Sequence, residues 1–155
     1  MINSHDIQQV AMRILARRAC SNEELSQKLC AKGYQSEAIN EVINCFVERG
    51  YLNDAALCHM LFTKYYQSGR YGLKMIILKL KQRGLSESII AEVIGKNDVS
   101  DEWQLALKVV QRHFKDQDTL ESLKVGRFLM AKGFSSAIIT KVLQELHQVN
   151  QNLCI

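Results

Sequence analysis

With 155 residues, 47% of them apolar, and no proline, the chain can build a packed core from uninterrupted helices. Its formal charge of +4 is modest. Five cysteines (Cys20, Cys30, Cys45, Cys58, Cys154) with no C-x-x-C pair, and four isolated histidines (His5, His59, His113, His147), give neither a disulfide framework nor a metal-ligand spacing.

The first predicted helix carries Ile7, Val10, Ala11, Ile14 and Leu15 at helical spacing. Ser21 to Glu24 spells a capping box that starts a second helix toward Ala31. Ser36 starts a third, ending near Gly50. Asn53 and Asp54, both good caps, open a helix to about Gln67, broken by the stretch from Ser68 to Gly72. Helices from Gly72 to Arg83 and from Ser86 to Ile94 follow. Gly95 to Ser100 reads as a polar linker. Trp103, Leu107, Val110 and Phe114 define one face of the next helix, Asp116 to Asp118 a turn, and Thr119–Lys132 and Ser135–Val149 the last two helices, with a frayed tail from Asn150. No stretch alternates with period two, and none has the length of a membrane span. The first residues, Met1 to Asp6, lack a signal-peptide pattern, so the expectation is a soluble cytoplasmic chain with reduced, mostly buried thiols.

One phrase occurs three times: Lys32 to Ile43, Arg83 to Ile94 and Lys132 to Leu143 align without a gap. Each reads basic residue, Gly, large apolar residue, nearby Ser, then apolar positions at helical spacing. If Gly33, Gly84 and Gly133 are left-handed residues just past helix ends, the residues after them (Tyr34, Leu85, Phe134) pack back on Leu29, Leu80 and Leu129. Gly50, with Phe46 and Tyr51, makes a fourth case. Ser36, Ser86 and Ser135 then cap the following helices. The expected fold is all-α: three tandem three-helix, helix-turn-helix-like repeats over 1–52, 53–99 and 100–155, forming an elongated curved array.

Charge is spread unevenly. From Ala55 through Ser86 there is no Asp or Glu, while Lys64, Arg70, Lys74, Lys79, Lys81 and Arg83 lie there with Tyr65, Tyr66 and Tyr71. Such a stretch sets up a positive field that attracts an anionic partner. On a helical wheel Leu73, Ile76, Ile77 and Leu80 form a buried stripe between basic flanks, and Met75 and Leu78 fall on the outward face. An apolar centre with a basic rim is the anatomy of a partner site. The helices after the Gly turns begin with acidic or apolar residues, which does not suit base readout in a major groove. No nucleophile elbow, phosphate-binding loop or paired-histidine motif is present, so nothing points to an enzyme or a cofactor.

Three stretches stand in order along the chain: Leu15-Ala16-Arg17-Arg18 with Ser21, Glu24-Leu25 and Lys28-Leu29; Gly50-Tyr51-Leu52-Asn53-Asp54, Tyr71-Gly72, Ile76, Leu80 and Arg83-Gly84; and Phe128-Leu129 with Lys132-Gly133-Phe134. The resemblance they carry is to the RecX family, bacterial regulators of the RecA recombinase. It implies tandem three-helix repeats and a monomer that binds in the groove of the RecA–DNA filament. It further implies inhibition of ATP hydrolysis, strand exchange and stimulated repressor cleavage, with no chemistry of its own. The partner-binding residues expected from both readings are Lys64, Arg70, Tyr71, Lys74, Met75, Leu78, Lys79, Lys81 and Arg83, with Arg17 and Arg18. The chain departs from the family pattern at Asn53, where a second Asp is usual, at Met75, where Arg is usual, and at Lys79, where Glu is common. The other reading open to the sequence is a direct DNA-binding protein of helix-turn-helix type, and weak non-specific DNA contact is compatible with either.

Overall fold

A computed structural model describes residues 4–97, 99, 101–114 and 122–152. The residues so described form nine helices and no strand: α1 Ser4–Arg17, α2 Asn22–Cys30, α3 Ser36–Glu48, α4 Asp54–Gln67, α5 Leu73–Gln82, α6 Glu87–Gly95, α7 Glu102–His113, α8 Ser122–Ala131 and α9 Ser136–Asn152. The expected turn at Asp116 to Asp118 lies outside the described residues, as do Asp98 and Ser100 of the linker, and Cys154. Among the described residues no helix is long and apolar enough to cross a membrane.

The four predicted Gly turns form as expected, and for the expected reason. Gly33, Gly50, Gly84 and Gly133 have φ of 89°, 74°, 71° and 86°, where a side chain would crowd the backbone. Each turn closes with two bonds that satisfy carbonyls at the helix end. Around Gly84 its own N–H donates to the Lys81 carbonyl at 2.9 Å and the Leu85 N–H to the Leu80 carbonyl at 3.3 Å. The same pair recurs at Gly33, Gly50 and Gly133. Leu85 and Phe134 are buried, while Tyr51 is exposed and meets Phe46 edge-on.

The predicted caps fare unequally. Ser21 and Glu24 form the capping box, with the Glu24 N–H donating to Ser21 Oγ at 3.0 Å. Ser86 and Ser135 each accept an N–H from the third residue on, at 3.4 Å. Ser36 does not cap: it is already the first residue of α3, preceded by Gln35 without a side-chain cap. Asn53 caps α4 by accepting the Ala56 N–H at 2.9 Å. The buried face of α7 centres on Ala106, Val109 and Val110, one position round from the expected stripe, and Trp103 is covered from outside by the Lys141 ammonium, 4.3 Å from its ring centroid. Helix α9 continues to Asn152, past the expected fraying point.

The chain divides into two units, one of Met1–Leu61 with Leu80–Val93, the other of Phe62–Lys79 with Ile94–Ile155. In the first, α1, α2 and α3 pack together around Ile7, Ala11, Leu25, Leu29, Ile39, Val42, Phe46 and Leu52. In the second, α7, α8 and α9 do the same around Ala106, Val109, Val110, Val125, Leu129, Phe134, Ile139 and Val142. The two cores use matching positions, as tandem copies of a three-helix repeat should. The middle repeat buries its own counterparts, Leu57, Leu61, Ile76, Leu80, Ile90 and Val93, on helices that the division cuts through. Cys20 and Cys58 are buried, Cys45 is half-buried and Cys30 exposed.

Candidate functional site

The basic helix α5 begins in a fixed place. Gly69 ends α4 with φ 61°, its N–H on the Tyr66 carbonyl at 3.1 Å. Three N–H groups at the start of α5 then find partners elsewhere in the second unit. Gly72 donates to the Lys132 carbonyl at 2.9 Å, Lys74 to the Gly133 carbonyl at 3.2 Å, and Leu73 to the Glu102 carboxylate at 2.8 Å. The end of α8 thus abuts the start of α5, C-terminal carbonyls against N-terminal N–H groups, the favourable sense for both dipoles. The approach is too close for any side chain. A Cβ on Gly72 would fall 2.6 Å from the Gly133 backbone, and one on Gly133 would fall 2.4 Å from the Met75 nitrogen.

This arrangement sets Arg70 and Tyr71 on the wall of a cleft of about 370 Å³. Arg112 and His113 from the end of α7, Phe128 from α8 and Lys132 complete its polar and aromatic lining. Among the described residues no carboxylate lines it. His113 stacks on Phe128, centroids 4.1 Å apart and planes 10° from parallel, and Lys132 lies 5.5 Å over the Phe128 centroid. On α5, Lys79 sits 4.6 Å over the Tyr71 ring and 5.8 Å from that of Tyr65. Such a surface, cationic and faced with planar rings, suits an anionic partner with flat groups. Arg112, His113, Phe128 and Lys132 are absent from the sequence-based set because they belong to the third repeat. The signals in the sequence were that Lys132 opens the third copy of the repeated phrase and that Phe128 and Lys132 lie in the last stretch of the family resemblance.

Two of the expected contact residues are turned inward. Met75 was expected on the outward face, but it is half-buried, with Gly133 pressed on its backbone and Cβ. Leu78 does face outward and is 47% exposed. Arg83 is half-buried in the first unit: its Nε donates to Glu24 Oε1 at 2.7 Å, and its Nη2 to Glu24 Oε2 at 3.1 Å and the Ala19 carbonyl at 2.8 Å. Arg18 holds the same carboxylate from a more exposed position, at 2.9 Å. Burial pushes the Glu24 carboxyl up, but the Arg83 hydrogen bonds and the Arg83 and Arg18 charges outweigh it and hold it below its ordinary value. Lys81 pairs with Glu87 across the Gly84 turn. The stretch without acidic residues is therefore less cationic in space than in sequence, because Glu24 and Glu87, from either side of it, neutralise two of its charges. Lys64, Arg70, Lys74 and Arg17 are exposed, and Tyr71 and Lys79 half-exposed.

Two family models match the chain: RecX, first three-helix domain, over residues 9–44, and RecX, third three-helix domain, over residues 100–143. The regulatory protein RecX of Pseudomonas tolaasii is 33% identical over 141 residues, which span 88% of this chain and 89% of that one. The chain belongs to the RecX family. The regulatory protein RecX of Vibrio campbellii is 32% identical over 130 residues, covering 82% of this chain and 83% of its own. The crystal structure of RecX from Lactobacillus salivarius shares the fold at a TM-score of 0.78 and 21% identity, over 94% of this chain and 97% of that one. A second RecX crystal structure gives a TM-score of 0.74.

Proposed function

We propose that this chain is a non-enzymatic inhibitor of the RecA recombinase, acting on DNA repair and the SOS response. It binds in the groove of the RecA–DNA filament and suppresses ATP hydrolysis, strand exchange and filament extension. The observation that carries this reading is membership of the RecX family over nearly the whole chain. The basic, aromatic-faced surface on α5 and its cleft supports it, since a DNA-loaded filament is strongly anionic. The contact residues on this reading are Lys64, Arg70, Tyr71, Lys74, Leu78 and Lys79 in the second unit, with Arg17, Arg18 and Lys81 in the first. Met75 and Arg83 contribute by holding α5 in place. The three repeats, 1–52, 53–99 and 100–155, act together in a monomer in the cytoplasm.

The test adds purified protein to RecA on single-stranded DNA with ATP and follows hydrolysis. Inhibition at or below stoichiometric ratios is expected, and its absence would sink the reading. Tight, sequence-specific binding to duplex DNA without recombinase, falling steeply with salt, would favour a direct DNA-binding role instead.

A further inference from the structure

The chain builds one joint twice. In the first unit Asp54, the first residue of α4, accepts the Asn22 N–H at the start of α2 at 2.9 Å. The turn after α5 lies on that same helix start: Arg83 holds Glu24, and a Cβ on Gly84 would stand 2.7 Å from the Glu23 Cβ and 2.8 Å from Ser21 Oγ. In the second unit Glu102, the first residue of α7, accepts the Leu73 N–H, and the turn after α8 lies on the start of α5. Both joints have the same parts. A helix N-terminus is received by a carboxylate from the first residue of another helix, and by a left-handed Gly turn with a basic residue before the Gly.

The turn after α2 is the third copy, and nothing among the described residues sits on it. Lys32-Gly33 has the same pair of closing bonds and φ of 89°, yet no atom of the described residues lies within 4 Å of where a Gly33 Cβ would be. Lys32, Gly33 and Gln35 are exposed. The Tyr34 hydroxyl donates to Asp6 at 2.9 Å, which ties the turn to the start of α1. We infer that this turn docks the N-terminal turn of a helix in the recombinase, one that starts with Gly or Ser and carries a carboxylate for Lys32. The inference rests on the proposed function for the identity of the partner. The small first residue is read from both filled joints, where Gly72 and Ser21 stand at the contact, and the carboxylate from the first of them, where Arg83 takes the Glu24 carboxylate.

The experiment uses the full chain with RecA filaments on single-stranded DNA. Lys32→Glu is expected to raise the concentration for half-inhibition of ATP hydrolysis at least tenfold with an unchanged melting temperature. A benzophenone cross-linker placed at Gln35 should map to a helix-starting turn of the recombinase that holds Gly or Ser. The inference fails if Lys32→Glu inhibits like the unmodified chain, or if the cross-link maps elsewhere on the recombinase, to a second copy of this chain, or to nothing while the unmodified chain still inhibits. Failure of the unmodified chain to inhibit at all removes the recombinase reading and this inference together.

Discussion

Arg83 grips the Glu24 carboxylate with both Nε and Nη2, joining the turn after α5 to the first turn of α2. The side chains are 17% and 12% exposed, so solvent screens this pair less than a surface one. The pair also completes a capping box, since Glu24 reaches back to the Ser21 N–H. One carboxylate thus closes a helix start and anchors a segment far along the chain.

Arg83→Met should cost about 1.5–3 kcal/mol, the usual loss for hydrogen bonds to a charged group, read as a lower urea midpoint. The loss should depend on pH. Glu24 titrates below its ordinary 4.5 when folded, so its contribution is fully present above that value and is lost as pH falls through the lowered one. The gap between wild type and Arg83→Met should therefore close in acid. A constant gap down to strong acid would count against the pair.

Asp54 behaves in the opposite sense. Burial raises its carboxyl, the Asn22 N–H lowers it, and the Glu24 charge raises it, leaving it above the ordinary 3.8. A raised carboxylate favours folding below its unfolded value and loses that contribution as pH rises through the folded one, so ionised Asp54 carries a cost at neutral pH. Asp54→Asn keeps the acceptor for Asn22 and sheds the charge. It should match or exceed wild-type stability at pH 7, whereas Asp54→Ala should lose about 1 kcal/mol, the usual cost of removing a capping oxygen. Equal losses for the two variants in thermal melts would contradict this.

Glycine substitutions separate backbone strain from crowding. Gly33→Ala meets no neighbour among the described residues and should cost only the left-handed penalty of about 1–2 kcal/mol. Gly72→Ala carries no such penalty but drives a Cβ into the Gly133 backbone, an overpacking loss of about 1–3 kcal/mol. Gly133→Ala combines both effects and should be the worst of the three. A Gly133→Ala protein that melts above either of the other two would contradict the close contact between α5 and the end of α8.

Charge reversal should map the contact surface. Arg70→Glu and Arg112→Glu line one cleft and should weaken inhibition of ATP hydrolysis by similar factors, about tenfold each, with Lys74→Glu comparable. Lys81→Glu should do less to inhibition, because Glu87 already offsets Lys81. Full inhibition by the Arg112→Glu protein would remove the cleft from the site.

Much of this was legible beforehand because it is local. The capping box at Ser21 and the four Schellman turns depend on bonds spanning a few residues, and their residue types are visible as a string. The repeated phrase carried the three-helix unit, because an apolar stripe at helical spacing has few other ways to be buried. Ser36 misled because Gln35 takes the cap position one residue earlier, a shift of register that the string does not mark.

What the sequence by itself determined is the kind of helix ends, the order of helices and the family. Only the tertiary structure decided where the charges are spent and what the Gly turns touch. Glu24 and Glu87 reach basic side chains that the linear count left unopposed, and Arg112 and His113, about 40 positions further along the chain, line one cleft with Arg70. The physical reason is range. Helix ends are settled by bonds over a few residues, whereas ion pairs and backbone-to-backbone contacts depend on which ends the fold brings within 3 Å of each other.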